Sequence, residues 1–594
     1  MNRPAFTALL DLEQKIVEAD AVSFDFFDTL FVRSLLNPED AFDILGKRFG
    51  INNFRKLRQA AQTEAFRRMY HQGLKEITLA GIYACFDGLA VPHEEIMLAE
   101  YELELSLVHP NLELIELFLK TVASDKTVVL ISDMYLPVEF FNEAFRRHNL
   151  PSIPMFISAA SNATKRDSGE LFDIVISKLG LLPGKILHIG DNPQSDIKQA
   201  KAKGLTTYHY QEDRSPPTLK HSAPESSLAL GLLRKHANEI EPNSYKELGF
   251  LYGGPAAVGF LDWITSKARH DHIDQVLFLA RDGYILERIA RCRNDNQLPP
   301  FHYFLSSRVT FTLAAMTDAN FEEFLPFLVS GSEGLSPYEL LERIGVSRPA
   351  DKVMENLGLG AGAIITHSQL ETVQKFLYAY RWEILKVCRA NRRALLSYLN
   401  SLGIRPGNRV ALVDVGWRGG TQHAFELAIQ NMLDIKVFGY YFCLADTEEC
   451  IKRQQMMRMS ALISKTSIPS KVINLIYENR TAVEIFFSAP HNSVIGLASS
   501  HDGLVVPVND DRNANADNLA QISADLVVGM ESFVYSYQKL RNEILLPTSP
   551  LDIAMPLIEF ITKEGASTHE LLNSIENFDN WSFTDNRTTV LKDY

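Results

Sequence analysis

The first third of the chain alternates short apolar runs with stretches of helical periodicity. Four runs have the unbroken apolar character of parallel strands buried on both faces, and each is followed by a turn and a helical stretch: AVSFDFF, TVVLIS, MFIS and KILHIG. Between the first two runs, apolar residues recur every three or four positions, which predicts helices. We therefore predict an α/β domain with a parallel sheet over residues 1–210, interrupted by a helical insertion over residues 36–119.

The segment QEDRSPPTLKHSAPESS, residues 211–227, is polar and contains prolines, so it is predicted to be a linker. The strand and helix pattern then restarts with DQVLFLA, FHYFLSS, RVALVDVG and KVFGYYFCLA. A second helical insertion is predicted at 321–399, and the pattern after residue 446 is irregular, with helical runs such as DNLAQISADLVVGMESFVYSYQKL. Residues 228–594 are thus predicted to form a second α/β domain with a helical insertion and a C-terminal helical region.

Chain length, net charge and cysteine spacing exclude several classes of protein. The chain has 594 residues, which exceeds the roughly 250–300 residues that a single hydrophobic core supports. Its net charge of −14 excludes a broad cationic surface, so we expect no nucleic-acid partner and no polybasic membrane anchor. The five cysteines include no C-x-x-C pair, which argues against a disulfide framework and a structural zinc site. No signal-peptide core or membrane span is recognisable, and we therefore expect a cytoplasmic location.

Four short motifs in the first domain combine polar residues with strand ends or turns. Asp25 ends the first apolar run, at the sheet edge where parallel sheets bind ligands. Ser132 ends the second run, Lys165 and Arg166 precede a helix, and HIGDNPQSD places Asp191 and Asp196 after the fourth run. Taken singly, each motif has a structural alternative: an Asx turn, a helix cap, a solvated basic pair or a helix start.

Together and in this order, the four motifs resemble those of the haloacid dehalogenase (HAD) superfamily of phosphotransferases. The resemblance implies a HAD-type Rossmannoid sheet in which the helical insertion is a cap that shapes the pocket and excludes water. It also implies that Asp25 is the nucleophile and forms an aspartyl-phosphate intermediate. Ser132 is then expected to donate a hydrogen bond to a phosphoryl oxygen, and Lys165 or Arg166 to neutralise its charge.

The same resemblance implies a Mg²⁺ site. Its ligands are expected to be Asp25, the backbone carbonyl of Phe27 and Asp191, with Asp196 in or beside the coordination sphere. Hard oxygen donors of this kind are those that Mg²⁺ prefers in proteins.

Two positions depart from the usual pattern of the superfamily. Most of its phosphatases carry a second aspartate two residues after the nucleophile, as general acid and base; here that residue is Phe27, and Asp28 follows it. Either Asp28 substitutes, or turnover is slow, or the reaction is not simple phosphomonoester hydrolysis. The cation is also ambiguous, because the spacing favours Arg166 and the residue type favours Lys165. The motifs DFFDTL and SDMYLP also resemble a subgroup encoded with bacterial polysaccharide glycosyltransferases.

In the second domain, the run RVALVD leads into a Gly-Gly-Thr turn and a helix. Backbone amides at such a turn can bind a phosphate; the alternative is a strand-to-helix turn in which the glycines serve geometry alone. The stretch resembles the phosphoribosyl-diphosphate (PRPP) loop of type I phosphoribosyltransferases. The resemblance implies that Asp414 binds ribose hydroxyls and that the 5-phosphate is bound by Gly419, Gly420 and Thr421. Val415 and Arg418 depart from that pattern, and Arg418 could still bind phosphate.

A second loop, Arg281-Asp282-Gly283, lies where such enzymes carry the loop for the pyrophosphate. Arg281 and Arg308 are candidate cations for it, and a surface or ion-paired role is the alternative for each. Glu484 and His491 are polar residues in an apolar stretch, for which we expect buried structural roles.

The whole chain resembles two-module enzymes that install ribofuranose in bacterial surface polysaccharides such as O-antigen. The resemblance implies transfer of 5-phosphoribosyl from PRPP to a glycan acceptor, which could be lipid-linked, followed by Mg²⁺-dependent removal of the 5-phosphate. Two alternatives remain open: a sugar-phosphate phosphatase fused to a nucleotide-sugar glycosyltransferase, and a degenerate HAD binding module. Peripheral contact with the inner membrane is also left open.

Overall fold

The computed structural model describes residues 4–89, 91–212, 215–220, 223–293, 297–500, 504–512, 515–547, 549–563 and 569–576. The chain divides into two compact units, residues 1–241 with 535–548 and residues 242–534 with 549–594. The boundary therefore does not lie in the predicted linker, whose last residues begin a buried helix of the first unit, Pro224–Gly231. The linker was predicted because these residues are polar, but in the fold the polar side chains of this helix are buried and paired with other residues. Ser227 Oγ accepts from the Leu36 amide at 2.9 Å, and Lys47 pairs with Glu225 at 2.6 Å.

The first unit is built on a parallel sheet. Its strands and those of a small ribbon are β1 Ala21–Phe24, β2 Phe31–Arg33, β3 Val108–Pro110, β4 Thr127–Ser132, β5 Met155–Ile157, β6 Ile186–Gly190 and β7 Thr206–His209. Within the described residues the order is β5-β4-β1-β6-β7, with every pairing parallel, while β2 and β3 pair antiparallel outside this sheet. The four predicted strands are present. β7 was not predicted, because this edge strand is partly exposed and its sequence TTYH lacks an apolar run.

Helices flank this sheet and form the insertion. The helices of the first unit are Pro4–Glu18, Asp40–Phe49, Phe54–His71, Leu79–Tyr83, His93–Leu107, Ile115–Val122, Val138–Arg147, Ser158–Ser161, Glu170–Leu179, Ala200–Ala202, Pro224–Gly231 and Leu233–His236, with a 3₁₀ turn at Pro183–Lys185 and a π-helical turn at Pro193–Gln199. The helical insertion ends at Leu107 instead of residue 119, because β3 pairs with β2 directly after it. Ile115–Val122 belongs to the sheet layer, where Phe118 packs edge-on against Phe24 with ring centroids 5.5 Å apart.

The second unit contains another parallel sheet and a separate hairpin. The strands are β8 Gln275–Leu279, β9 Phe301–Phe304, β10 Arg409–Asp414, β11 Lys436–Cys443, β12 Arg458–Ile463, β13 Val494–Ser499 and β14 Val505–Asn509. In the described part of this unit the sheet order is β12-β11-β10-β8-β9, again with parallel pairings, and β13 pairs antiparallel with β14. β12 to β14 lie in the region after residue 446 for which only irregular structure and helices were predicted.

The helices of the second unit are Tyr245–Leu248, Gly254–His270, Tyr284–Arg293, Arg308–Ala315, Phe321–Val329, Pro337–Glu342, Asp351–Asn356, Leu370–Ala379, Arg381–Ser401, Gly420–Ile429, Glu448–Met456, Ser470–Glu478, Arg480–Phe486, Ala516–Glu543 (to Val534), Pro550–Thr562 and Glu570–Asn573, with short helical turns at Gly249–Gly253, Asp318–Asn320 and His367–Gln369. The predicted insertion at 321–399 is helical and has its own apolar core, which includes Leu328, Leu341, Val373 and Ile384. None of the helices in the described residues is long and apolar enough to cross a membrane.

The α/β fold class with parallel sheets is confirmed. In each sheet the chain order reverses between two adjacent strands, and ligands bind at such switch points beyond the carboxyl ends of the strands. The reversal lies between β1 and β6 in the first unit and between β8 and β10 in the second. Asp25 and Asp191 follow the first pair of strands, and Asp282 and Asp414 lie at the ends of the second pair.

Candidate functional site

The switch point of the first unit holds a cluster of three carboxylates. Asp25 follows β1, Asp191 follows β6, and Asp196 lies in the π-helical turn Pro193–Gln199. One oxygen from each residue lies within 4.8 Å of the other two. Asp25 is 7% exposed and Asp196 is fully buried, so the cluster lies largely out of solvent. Hard oxygen donors this close together suit Mg²⁺, which prefers carboxylates and retained waters.

Lys165 joins this cluster, and Arg166 does not. The Lys165 ammonium lies 2.7 Å from Asp25 Oδ1 and 2.6 Å from Asp196 Oδ1, and it also donates to the Ile131 carbonyl at 3.3 Å. The guanidinium of Arg166 instead binds both carboxylate oxygens of Glu76, at 2.6 and 2.9 Å. Of the two cations that the motif offered, the structure brings only Lys165 to Asp25.

Burial and mutual repulsion shape the charge of the cluster. Burial raises the pKa of Asp25 to about 7, with Lys165 opposing the shift and Asp196 adding to it. Burial also raises the pKa of Asp191 to about 6, assisted by the charges of Asp28 and Asp196. For Asp196, burial is outweighed by Lys165 and His188, which hold its pKa below the usual range. A divalent cation would relieve the repulsion among these acids.

Asp196 is held in place by the strand that precedes it. His188 Nε2 lies 3.2 Å from Asp196 Oδ1, while its Nδ1 lies 2.9 Å from Ser23 Oγ. The amide of Asn192 donates to Asp196 Oδ2 at 3.0 Å. Gly190 permits this arrangement, since a β-carbon there would lie 2.4 Å from Asp196 Cγ. His188 was not predicted as a site residue, although a histidine inside the apolar run KILHIG indicates a buried polar group that needs a partner.

The loops after β4 and β5 are tied to each other. Ser132 ends β4 and is 1% exposed. The neighbouring Asp133 accepts hydrogen bonds from the backbone amides of Lys165 and Arg166, at 2.8 to 3.0 Å. These bonds hold the lysine-bearing loop beside the end of β4.

The two residues that depart from the superfamily motif, Phe27 and Asp28, both contact Arg33. Asp28 adopts a left-handed conformation, with φ 55°, and its side chain is 45% exposed. The guanidinium of Arg33 lies 3.8 Å from Asp28 Oδ2. It also lies over the Phe27 ring, 3.9 Å from the ring centre. Asp28 is therefore an accessible carboxylate whose charge reaches Asp191, where it raises the pKa.

The switch point of the second unit opens into a cavity of about 960 Å³. The predicted residues that line it are Arg281, Asp282, Arg308, Asp414, Arg418, Gly420 and Thr421. Gly283 and Gly419 do not line the cavity. Gly283 is buried where a β-carbon would lie 2.6 Å from Phe278, and Gly419 adopts φ 73° before the helix Gly420–Ile429. Glycine at 283 therefore serves close packing, and glycine at 419 serves the turn before the helix.

Two carboxylates hydrogen-bond to each other at this cavity. Asp282 and Asp414 face each other across the ends of β8 and β10, and Asp414 also hydrogen-bonds to Thr421. The Val415 amide donates to Asp282 Oδ2 at 3.4 Å. Burial, followed by repulsion from Asp414, raises the pKa of Asp282 well above its usual value, and burial also raises the pKa of Asp414. A pair of this kind shares one proton.

Arginines and an aromatic wall complete the lining. Arg308 is exposed at the start of the helix Arg308–Ala315, and Arg418 pairs with Glu449 at 2.6 Å. The Trp417 indole donates to Glu484 Oε1 at 2.7 Å, and both residues line the cavity. The prediction of a buried structural role for Glu484 therefore misses its place on the cavity wall. Arg453 and Arg480, which were not predicted as site residues, also line the cavity.

His491 is connected through Tyr303 to the loop Arg281-Asp282-Gly283. Its Nε2 is 2.6 Å from the Tyr303 hydroxyl, which in turn accepts from the Arg281 amide at 2.8 Å. Burial lowers the pKa of His491. Its contacts hold the loop at Arg281, in keeping with the structural role expected for it.

Comparison with solved structures finds likeness to part of the chain. A HAD-family enzyme from Bacteroides thetaiotaomicron is 17% identical, with 33% of this chain and 95% of that chain covered and a TM-score of 0.26. The magnesium-bound HAD-hydrolase YfnB from Bacillus subtilis is 16% identical, covering 34% and 90% with a TM-score of 0.25. A HAD phosphatase from Thermococcus onnurineus is 20% identical, covering 37% and 97% with a TM-score of 0.24. No protein-family model and no curated protein matches the chain.

Proposed function

We propose that the first unit is a Mg²⁺-dependent phosphatase of the HAD type, with Asp25 as the nucleophile. The observation that carries this proposal is the position of Lys165 between Asp25 and Asp196, beside the carboxylate of Asp191. The nucleophile, the cation and the metal-binding acids thus come from three separate motifs and meet at one sheet edge. A bound Mg²⁺, held by Asp25, the Phe27 carbonyl, Asp191 and Asp196, would polarise the phosphoryl group.

The reaction follows from these positions. A carboxylate oxygen of Asp25 attacks phosphorus, the bond from phosphorus to the leaving oxygen breaks, and an aspartyl phosphate forms. Lys165, with the hydroxyl of Ser132, binds the phosphoryl oxygens as their charge develops. Water then attacks the phosphorus of the aspartyl phosphate, which releases inorganic phosphate and restores Asp25. Asp28 is the proposed acid for the leaving oxygen and base for the water, because Phe27 cannot exchange a proton.

The proposed phosphatase is tested with Asp25→Asn. We expect Mg²⁺-dependent hydrolysis of a phosphomonoester panel that includes ribose 5-phosphates, and a loss of about 10⁴-fold or more in kcat for the variant. Asp173→Asn, an exposed acid of the helix Glu170–Leu179, is the matched control. Turnover that survives Asp25→Asn would exclude the nucleophile assignment. No hydrolysis by the wild type would favour a degenerate binding module.

For the second unit we propose PRPP binding and transfer of 5-phosphoribosyl to a glycan acceptor. One cavity brings together the turn at Gly420 and Thr421, two acids and several arginines, which suits a ligand with both hydroxyl and phosphate groups. In the transfer, an acceptor oxygen bonds to C1 of the ribose and pyrophosphate leaves. The product carries a 5-phosphate, which is the kind of group that the first unit is proposed to remove.

A donor comparison tests this second proposal. PRPP and a set of nucleotide sugars are each titrated into the protein with Mg²⁺, and transfer to glycan acceptors is followed by mass spectrometry. Binding of PRPP and a phosphoribosylated product are the expected results. A preference for nucleotide sugars would replace this proposal with a nucleotide-sugar glycosyltransferase.

A further inference from the structure

A buried carboxylate joins the helical insertion to the sheet layer of the first unit. Glu76 lies in the insertion between the helices Phe54–His71 and Leu79–Tyr83, and it is 6% exposed. Arg166 donates to both of its oxygens, at 2.6 and 2.9 Å. Ser158 Oγ donates to Glu76 Oε2 at 2.8 Å, and the Ile77 amide donates to Oε1 at 2.9 Å. The charge of Glu76 is thus compensated by one guanidinium and additional donors.

The two side chains that bind Glu76 are each connected to a loop that carries a proposed catalytic group. Arg166 follows Lys165 directly, and its backbone amide is bound by Asp133 at 3.0 Å. Ser158 Oγ accepts from the amide of Met134 at 2.8 Å, two residues after Ser132. Through these two chains of hydrogen bonds, Glu76 is connected to the loop of Lys165 and to the loop of Ser132.

Neighbouring backbone bonds attach the same piece of the insertion. The Lys75 amide donates to Asn162 Oδ1 at 2.8 Å, and the Leu79 amide donates to the Tyr135 carbonyl at 2.8 Å. Lys75 to Leu79 therefore contacts the loops after β4 and β5 at several points. Lys75 also pairs with Glu170, at 3.6 Å, but both of those side chains are exposed, whereas Glu76 is buried. Removing the partner of a buried charge is strongly destabilising to the contact.

We propose that Glu76 is a positioning residue for phosphoryl transfer, which aligns Lys165 and Ser132 only while the helical insertion is seated on their loops. This inference rests on the proposed phosphatase activity. Because Arg166 binds Glu76 and follows Lys165 directly, its contact with Glu76 fixes the position of Lys165. The second cation of the motif thus binds the insertion and leaves phosphate neutralisation to Lys165.

The test compares Glu76→Gln with Glu64→Gln. Glu64 lies in the same insertion and pairs with Arg67 and Arg68 within its own helix, where the arginines are largely exposed, so its loss should leave the site unchanged. For Glu76→Gln we expect kcat for para-nitrophenyl phosphate to fall about 10- to 100-fold, as misplacement of a catalytic group does. Affinity for Mg²⁺ should change less than about two-fold, because Glu76 touches none of the proposed metal ligands. A role limited to stability would lower Tm and leave kcat of the folded fraction unchanged.

Arg166→Lys provides a second variant, which keeps the charge and loses the bidentate contact; kcat should fall by less than in Glu76→Gln. Combining Glu76→Gln with Arg166→Lys should reduce kcat little further, because both act through one contact. A kcat for Glu76→Gln within about two-fold of wild type overturns the inference. If the wild type hydrolyses no phosphomonoester, the proposed function fails. Amide hydrogen exchange at residues 133–135 and 158–166 then still tests whether Glu76 holds these two segments in place. Unchanged exchange there in Glu76→Gln would overturn it.

Discussion

The ammonium nitrogen of Lys165 lies 2.7 Å from Oδ1 of Asp25. The same nitrogen lies 2.6 Å from Asp196, so one cation compensates two buried carboxylates at the end of the first sheet. Burial lowers the pKa of Lys165, but Asp196 and then Asp25 outweigh it, and the net pKa is raised. Lys165 is therefore charged throughout the physiological range, and its loss would leave the two acids to repel each other.

Lys165→Met should be damaging in two measurable ways. Hydrolysis should fall about 10²- to 10³-fold, because a donor to the phosphoryl oxygens is removed. The first unit should also lose about 3–5 kcal/mol of stability, since Asp25 and Asp196 lose their buried counter-charge. Steady-state kinetics and denaturant unfolding check these effects, with the exposed Lys178→Met as the control. Wild-type turnover in Lys165→Met would contradict the role given to this lysine.

Gly190→Ala should weaken Mg²⁺ binding by displacing Asp196. A β-carbon at Gly190 would lie 2.4 Å from Asp196 Cγ and 2.5 Å from its Cβ, so the aspartate must move away from Lys165 and the other acids. We expect Mg²⁺ affinity and turnover to fall about 10- to 100-fold, as measured by calorimetry and kinetics. Gly184→Ala is the control, because its β-carbon would meet only the Gly204 carbonyl at 3.9 Å. Equal Mg²⁺ binding by the two variants would argue against Asp196 as a ligand.

Strand ends were predictable from the sequence, and contacts between distant segments were not. The runs before Asp25 and Asp191 are apolar because both faces of β1 and β6 are buried. The edge strands β7 and β12 lack that signal, since their residues are partly exposed. The choice between Lys165 and Arg166 depends on Glu76, which is 90 residues away from Arg166 and carries no motif of its own. Adjacent residues of one type can thus point to different partners, and tertiary structure decides between them.

The carboxylate pair of the second unit should make stability depend on pH. The pKa of Asp282 is raised well above its ordinary value of 3.8 by burial and by Asp414. The folded protein therefore holds a proton that the unfolded chain releases, and this contribution is fully present below pH 3.8. It is lost as the pH rises through the raised pKa of the folded state.

Asp282→Asn should remove most of that dependence, because asparagine stays neutral and can still donate to Asp414. As the pH rises from 3.8 through the raised pKa of Asp282, the unfolding midpoint of the second unit should fall more steeply for wild type than for the variant. Denaturant unfolding at several pH values measures the two slopes, with the exposed Asp517→Asn as the control. Identical slopes for wild type and Asp282→Asn would show that this pair does not share a proton.

Thr421→Val tests the phosphate end of the second cavity. Thr421 lies in the first turn of the helix Gly420–Ile429, where its hydroxyl and the backbone amides can serve a phosphate, and it also hydrogen-bonds to Asp414. Valine keeps the shape and removes the hydroxyl, so PRPP affinity should fall about 5- to 30-fold, equivalent to losing one hydrogen bond to a charged group.

The comparison ligand for that experiment is ribose without phosphate groups, whose weak binding should be unaffected by Thr421→Val. Thr466→Val, a substitution after β12 and outside the cavity lining, is the matched control for the loss of a hydroxyl. Because Arg308 is exposed on the same wall, Arg308→Met should weaken PRPP binding as well and make it less sensitive to salt. PRPP binding that is equally strong in wild type, Thr421→Val and Arg308→Met would place the phosphates elsewhere and remove the support for a transferase site at this sheet edge.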